Sequence, residues 1–405
     1  MIYAKEKGYN KMKNFFKEMI QNKQINKRKL IIAIVVAILI IALIAIIAVY
    51  INNRWARDWI DVKVFRKEKA QNNLPSIEIE DGNNADICAF NRYIGLLNKN
   101  TFTIYDSNGS KAKDLTVEIS KPIFANNNKY LAIAENDGKK VYLIEDKEIL
   151  WDRDIEGNIE QISVNKNGYV AVTIADTSYK TVIQLFDNQG KSLFKRFLAT
   201  TRAVAVSISD DNKYLAIAQV DTTGTKVQST IQVMSIDEAK NKGEDSNSKE
   251  YNEDEGELVT NIKFQEKDKL LCMYTDKIKI IKTDGTEETL QDFKDKKGSF
   301  ATINLSNSSA ILEEKSSGLF TADSVVNIMN SDNKSIALYT AEEVTKEIYT
   351  SGSIIALNMG SELDFINQGG WLVKRYTADQ EISKIVLSES IAGVVYRDKI
   401  EIITL

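Results

Sequence analysis

The heptapeptide Asn-Lys-Tyr-Leu-Ala-Ile-Ala occurs twice in this chain, at 128–134 and 212–218, an interval of 84 residues. Between the copies lies NKNGYVAVTI (165–174), in which Tyr169 stands where Tyr130 and Tyr214 stand. The interval is therefore two periods of about 42 residues, a length at which each repeat is one supersecondary unit. Further apolar runs behind a polar turn are RYIGLLN (92–98), DKLLCMY (268–274), SSAILEE (308–314), GSIIALN (352–358) and SIAGVVY (390–396). Each is followed by a second strand-like run, such as KVYLIED or KIKIIKTD, and then often by a turn such as Asp187-Asn-Gln-Gly190. Third runs such as EILW (148–151) follow the turns, and runs such as QISV (161–164), AVSI (205–208) and NIKF (261–264) precede the first.

Four short strands per repeat, without helical periodicity, predict β-propeller blades. Eight apolar runs in the 334 residues of 72–405 give about 42 residues per blade, within the range of such repeats. The expected fold is all-β, an eight-bladed propeller of four-stranded blades, with seven blades as the alternative. The last repeat ends at KIEIITL on its third strand, and PSIEIE (75–80) is available to supply the fourth. Joining the two ends in one blade removes an exposed sheet edge. The recurring letters follow from packing: in Leu131-Ala132-Ile133-Ala134 large side chains point to one face and alanines to the other. That asymmetry suits wedge-shaped blades crowding towards an axis, and Asn-Lys-Tyr makes the turn and packs a ring beside it.

From Leu30 to Ile51 the chain reads LIIAIVVAILIIALIAIIAVYI, 22 residues without a charge. At ~1.5 Å per residue a helix of this length spans a hydrocarbon layer of ~30 Å. A transmembrane anchor is therefore expected over 30–51. The tail 1–29 has nine basic residues against Glu6 and Glu18, net +7, whereas 52–71 has six against three, net +3. The difference places the tail in the cytoplasm and the propeller outside. Trp55, Trp59 and Val62 make 52–71 an amphipathic juxtamembrane linker at the headgroup boundary. With a formal total of −4, 72–405 carries −4 − 7 − 3 = −14. So acidic a body excludes nucleic acid held through its phosphates. The segment 237–257, with nine acids against three lysines, is expected as a solvated acidic loop.

The chain contains no histidine, which removes the general base of a serine triad and the commonest zinc and haem ligand. Cys88 and Cys272 are far apart and are read as buried free thiols. No phosphate loop and no calcium-loop spacing is present. The carboxylates of WDRD (151–154) and SDD (209–211) are read as structural. No catalytic, cofactor-binding, metal or ligand-binding residue is named, and no cofactor is expected.

DNQGKSLF (187–194), DKEILW (146–151) and DNKSIALY (332–339) are similar to the Asp-x-x-Gly-Lys-x-x-Trp turn and strand of pyrroloquinoline-quinone-type propeller repeats, and NKYLAIA resembles the second strand of WD40-like propellers. The whole plan resembles a functionally uncharacterised family of single-pass, membrane-anchored β-propeller proteins of Gram-positive bacteria. Most repeats here lack the tryptophan, and no vicinal cysteine pair is present, so no quinone residues are carried over. The repeat-built fold together with the chemistry-poor residue inventory leads to the expectation of a non-enzymatic binding or scaffolding propeller on the outer face of a plasma membrane. Its partners would be the lipid bilayer through 30–51 and an envelope protein or wall-associated ligand. The alternatives are a carboxylate-dependent envelope polysaccharide enzyme, which needs acids gathered at the axis, and a transmembrane sensor.

Overall fold

The computed structural model describes residues 27–52, 60 and 74–405, except 255, 295–299, 317–321, 333 and 342; in addition, the side chains of 27–34, 37, 52 and 316 are not described. The tail 1–26, Trp55, Trp59, Val62 and most of the expected linker lie outside these residues. The chain divides into two units, Met1–Lys69 and Ala70–Leu405.

In the first unit, helix α1 (Lys27–Asn52) covers the whole uncharged run. Leu39, Ile41 and Ile44 on it are 63%, 65% and 60% exposed. Among the described residues no helix is long and apolar enough to cross a membrane; the described side chains of α1 begin at Val35. The fold therefore does not establish the spanning role expected of 30–51.

The second unit consists of eight four-stranded antiparallel sheets, so the eight-blade expectation holds and the seven-blade alternative does not. Blades 1 to 7 occupy 86–116, 122–154, 158–198, 202–252, 259–292, 300–341 and 347–377. Blade 8 takes three strands from 384–404 and its fourth from Ser76–Glu78, paired Ser76↔Glu401, Ile77↔Ile400 and Glu78↔Lys399. The ends close the ring as PSIEIE suggested. Each of the eight apolar runs is the second strand of a blade.

The apolar core is divided into eight clusters, one between each pair of neighbouring blades. Leu131 and Ile133 pack with Phe90 and Phe102 of blade 1, while Ala132 and Ala134 meet Val170 and Val172 of blade 3. The second copy repeats this: Leu215 and Ile217 join Ile183 and Leu185 of blade 3, while Ala216 and Ala218 face Ile262 and Phe264 of blade 5. In both copies the bulky face backs onto the preceding blade and the alanine face admits the next. The ring of Tyr130 covers Gly168 of blade 3, where an added Cβ would lie 2.8 Å from it. Trp151 covers Gly190 of the DNQG turn in the same way, at 2.7 Å, and Arg153 Nε donates to the Gly190 carbonyl at 2.9 Å. A tryptophan on one blade's outer strand thus docks on the turn of the next. Cys88 and Cys272 are buried and unpaired.

The acidic segment 237–257 requires correction. Helix α2 (Ile236–Lys242) begins at Ser235, whose hydroxyl accepts from the Glu238 amide, and Ser248–Asn252 is the outermost strand of blade 4. Glu253 is buried, accepts from Tyr274 Oη at 2.5 Å and pairs with Lys279. Glu257 pairs with Lys277, which holds its carboxyl below the usual range. The neutralising lysines lie on KIKIIK of blade 5, so their proximity is not apparent in the local acid count. Glu253→Gln should keep a polar contact with Tyr274 and leave Lys279 only the more distant Glu257, at 3.9 Å. The expected loss is about 1–3 kcal/mol, read from denaturant unfolding; no change would mean that the pair is solvated.

Candidate functional site

The innermost strand of each blade leads into its second strand through a short turn, and all eight turns surround one end of the axial channel. Seven of the eight need a left-handed residue: Asn91, Asn128, Gly168, Asn212, Glu266, Asn307 and Gly352 have φ between +46° and +79°. Asparagine and glycine tolerate that region, which accounts for the Asn-rich spelling before the apolar runs. Inside the ring is a funnel of about 790 Å³.

Many of its amides and hydroxyls are used to join blades. Asn126 Nδ2 donates to the Ala89 carbonyl at 2.5 Å (blades 2 and 1), and Asn165 Nδ2 donates to the Ser209 carbonyl at 3.0 Å (3 and 4). The Phe264 amide donates to Ser207 Oγ at 2.9 Å, and Gln265 Nε2 to the Leu305 carbonyl at 2.8 Å. Thr302 and Thr350 hydroxyls meet at 3.1 Å, and Ser388 Oγ donates to the Asn91 carbonyl at 2.6 Å. Inner strands have no strand on their axis-facing edge, so side chains satisfy polar groups that would otherwise be costly to bury.

Five charged residues line the funnel: Lys166, Asp210, Lys263, Glu266 and Glu389. Lys166 pairs with Asp210 at 2.9 Å, and Glu266 lies 3.7 Å from Lys269. Asp211, the other acid of SDD, holds its own turn by accepting from Ser209 Oγ at 2.8 Å and the Lys213 amide at 3.2 Å. SDD is thus divided: Asp211 is structural, as expected, but Asp210 faces the funnel. Asp154 of WDRD pairs with Lys140 on the blade surface at 3.3 Å.

Lys263 donates to the Asn304 carbonyl at 3.0 Å. Protein atoms surround it while its tip reaches the open channel. Burial lowers its pKa to about 8, partly offset by the charges of Asp210 and Glu389. Its folded-state pKa therefore lies below the unfolded value of ~10.4, so stability rises with pH between the two. Glu389 lies over Gly352 of blade 7, where an added Cβ would fall 1.7 Å from its Oε1. Among the described residues no group of three acids, cysteines or histidines could hold a metal ion.

Of the five charged funnel residues only Asp210 belongs to a carboxylate motif noted in the sequence, where it is read as structural. The left-handed turn spelling marks the ring of turns, but NIKF gives no sign that Lys263 faces a channel, since alternation alone does not tell axis from neighbouring blade.

The profile of a family of unknown function (DUF5711) matches residues 64–405. No curated protein matches the sequence. Among solved structures, the chain is similar to BamB from Moraxella catarrhalis, with 10% identity over 84% of this chain and 99% of that one and a TM-score of 0.47. It is also similar to apo AztD from Citrobacter koseri, with 10% identity over 77% and 94% and a TM-score of 0.44. Raptor from Chaetomium thermophilum aligns over 84% of this chain and 29% of that one, with 11% identity and a TM-score of 0.47. At these values the likeness concerns the fold and carries no function across.

Proposed function

We propose that this chain, which belongs to the DUF5711 family of unknown function, is a membrane-tethered binding or scaffolding propeller that engages its partner through the funnel face. The main support is how the funnel uses its charges: Asp210 is held by Lys166, and Glu266 lies beside Lys269. Glycoside hydrolysis by carboxylates uses two acids about 5–10 Å apart flanking one bond, and such a pair is not what these contacts favour. A rigid ring of turns with a polar wall is suited to holding a ligand, since its groups are positioned before binding.

The tether in this reading is the uncharged run 30–51, carried on the backbone of α1. The +7 tail stays in the cytoplasm and the propeller faces the envelope of a Gram-positive bacterium, where it meets an envelope protein or wall-associated ligand. Two experiments test this. A photo-crosslinking residue at Asn304 in the funnel should capture one reproducible envelope partner in cells, and the same residue at Glu148 on the blade exterior should not; capture only from Glu148 would move the partner to the rim. For topology, both native cysteines are buried and give little background. Asn108→Cys should react with a membrane-impermeant maleimide in intact cells, and Asn10→Cys only after lysis. The reverse pattern would place the propeller in the cytoplasm.

A further inference from the structure

Among the described residues, two of the five charged groups lining the funnel make no ion pair: Lys263 on blade 5 and Glu389 on blade 8. They are three blades apart on an eight-blade ring, so they face the channel from different sides. Each is held in place: Lys263 by the Asn304 carbonyl, and Glu389 by its packing on Gly352. They lie close enough for Glu389 to act on Lys263 electrostatically, without direct pairing. Lys166 and Asp210 pair at 2.9 Å, and Glu266 lies 3.7 Å from Lys269, a lysine it shares with Asp332 at 2.9 Å.

From this arrangement we infer that the funnel binds a zwitterionic ligand of the amino-acid or short-peptide class, with its carboxylate at Lys263 and its ammonium at Glu389. The inference rests on the funnel being the binding face and deepens that reading by naming a ligand chemistry. The wall suits such a ligand. Gln161 and Ser163 of blade 3 and Ser351 of blade 7 line the same space, and amides and hydroxyls at these places can bond peptide N–H and C=O groups. The space of about 790 Å³ is in the range of small-ligand pockets, about 300–1,000 Å³. An enclosed lysine with no acid in contact is costly in its charged form, and a bound carboxylate relieves that cost. Neutral sugars would leave both charges without partners.

The test is calorimetric titration of the full-length chain in detergent micelles with alanine, dialanine, trialanine and tetraalanine, each also C-amidated and N-acetylated. At least one free peptide should bind, and blocking either end should weaken it about tenfold or more, as charge-assisted bonds are lost. Lys263→Met should abolish the difference between free acid and amide while preserving the need for a free amine. Glu389→Gln should do the converse. Unchanged thermal melting of both variants shows that the fold is intact. No binding by any of the peptides overturns the inference, as does equal binding of free and blocked forms. If Asn304 still captures an envelope partner while no peptide binds, only the ligand assignment fails. If peptides bind as expected but Asn304 captures nothing, the partner reading fails instead.

Discussion

Asp364→Ala is expected to destabilise the propeller by about 3–5 kcal/mol, the range for breaking one partner of a buried ion pair. Asp364 is fully buried on the third strand of blade 7. Arg375 on the adjacent outer strand grips it at two points, 2.6 Å from Nε to Oδ1 and 3.0 Å from Nη2 to Oδ2. The hydroxyl of Tyr339, reaching over from blade 6, donates to the same carboxylate at 2.6 Å. Alanine takes two charge-assisted bonds from the guanidinium, which retains Glu362 at 3.1 Å, and removes the buried acceptor of the Tyr339 hydroxyl, so the blade 6–blade 7 contact loosens. Denaturant unfolding of the full-length chain gives the loss. Asp364→Asn should fall between alanine and the native residue, because it can still accept from Tyr339. A loss below about 1 kcal/mol for alanine, the scale of an exposed pair, would show that the cluster is solvated.

Ile77→Asp is expected to be as damaging, about 4–5 kcal/mol, the upper end of single substitutions. The strand Ser76–Glu78 is only three residues long, yet it is the element that closes the ring. Ile77 is buried among Ile391, Ile400 and Ile402, and the Ile402 amide donates to the Pro75 carbonyl at 2.8 Å. A carboxylate there loses the apolar contact and has no cation prepared for it. Release of the strand bares the edge of Lys399–Thr404, which another chain can then pair. A lowered unfolding midpoint and higher-order species in gel filtration are the expected readings. Ile77→Val, which keeps the shape, should cost about 0.5–1.5 kcal/mol. A monomeric Ile77→Asp with an unchanged midpoint would mean that blade 8 holds without its fourth strand.

The analogous contact between blades 7 and 8 follows the same logic. Tyr376 on the outer strand of blade 7 donates to Glu401 of blade 8, and its pKa is driven up by burial and by that carboxylate. No sequence pattern announces these contacts. Tyr339 and Asp364 are 25 residues apart, as are Tyr376 and Glu401, but equal spacing between a tyrosine and an acid is meaningful only once the outer strand of one blade is known to face the third strand of the next.

The sequence by itself determined the repeat, narrowed the blade count to eight or seven, and pointed to the strand that closes the ring. These follow from local constraints: apolar runs must be covered on both faces, turns must adopt a left-handed conformation, and an unpaired last strand must find a partner. NKYLAIA was legible for that reason, because its large and small faces fit the preceding and following blades wherever the unit occurs. The tertiary structure alone decided which polar side chains face the axis and which join one blade to another. Asn126 and Lys263 both sit on inner strands and line the funnel, yet Asn126 reaches back to the Ala89 carbonyl of the preceding blade and Lys263 forward to the Asn304 carbonyl of the next. Glu253 and Glu257 behave likewise, since the lysines that neutralise them, Lys279 and Lys277, belong to the next blade. A charge's role depends on what stands opposite it, and in a ring of eight blades that residue lies in another repeat.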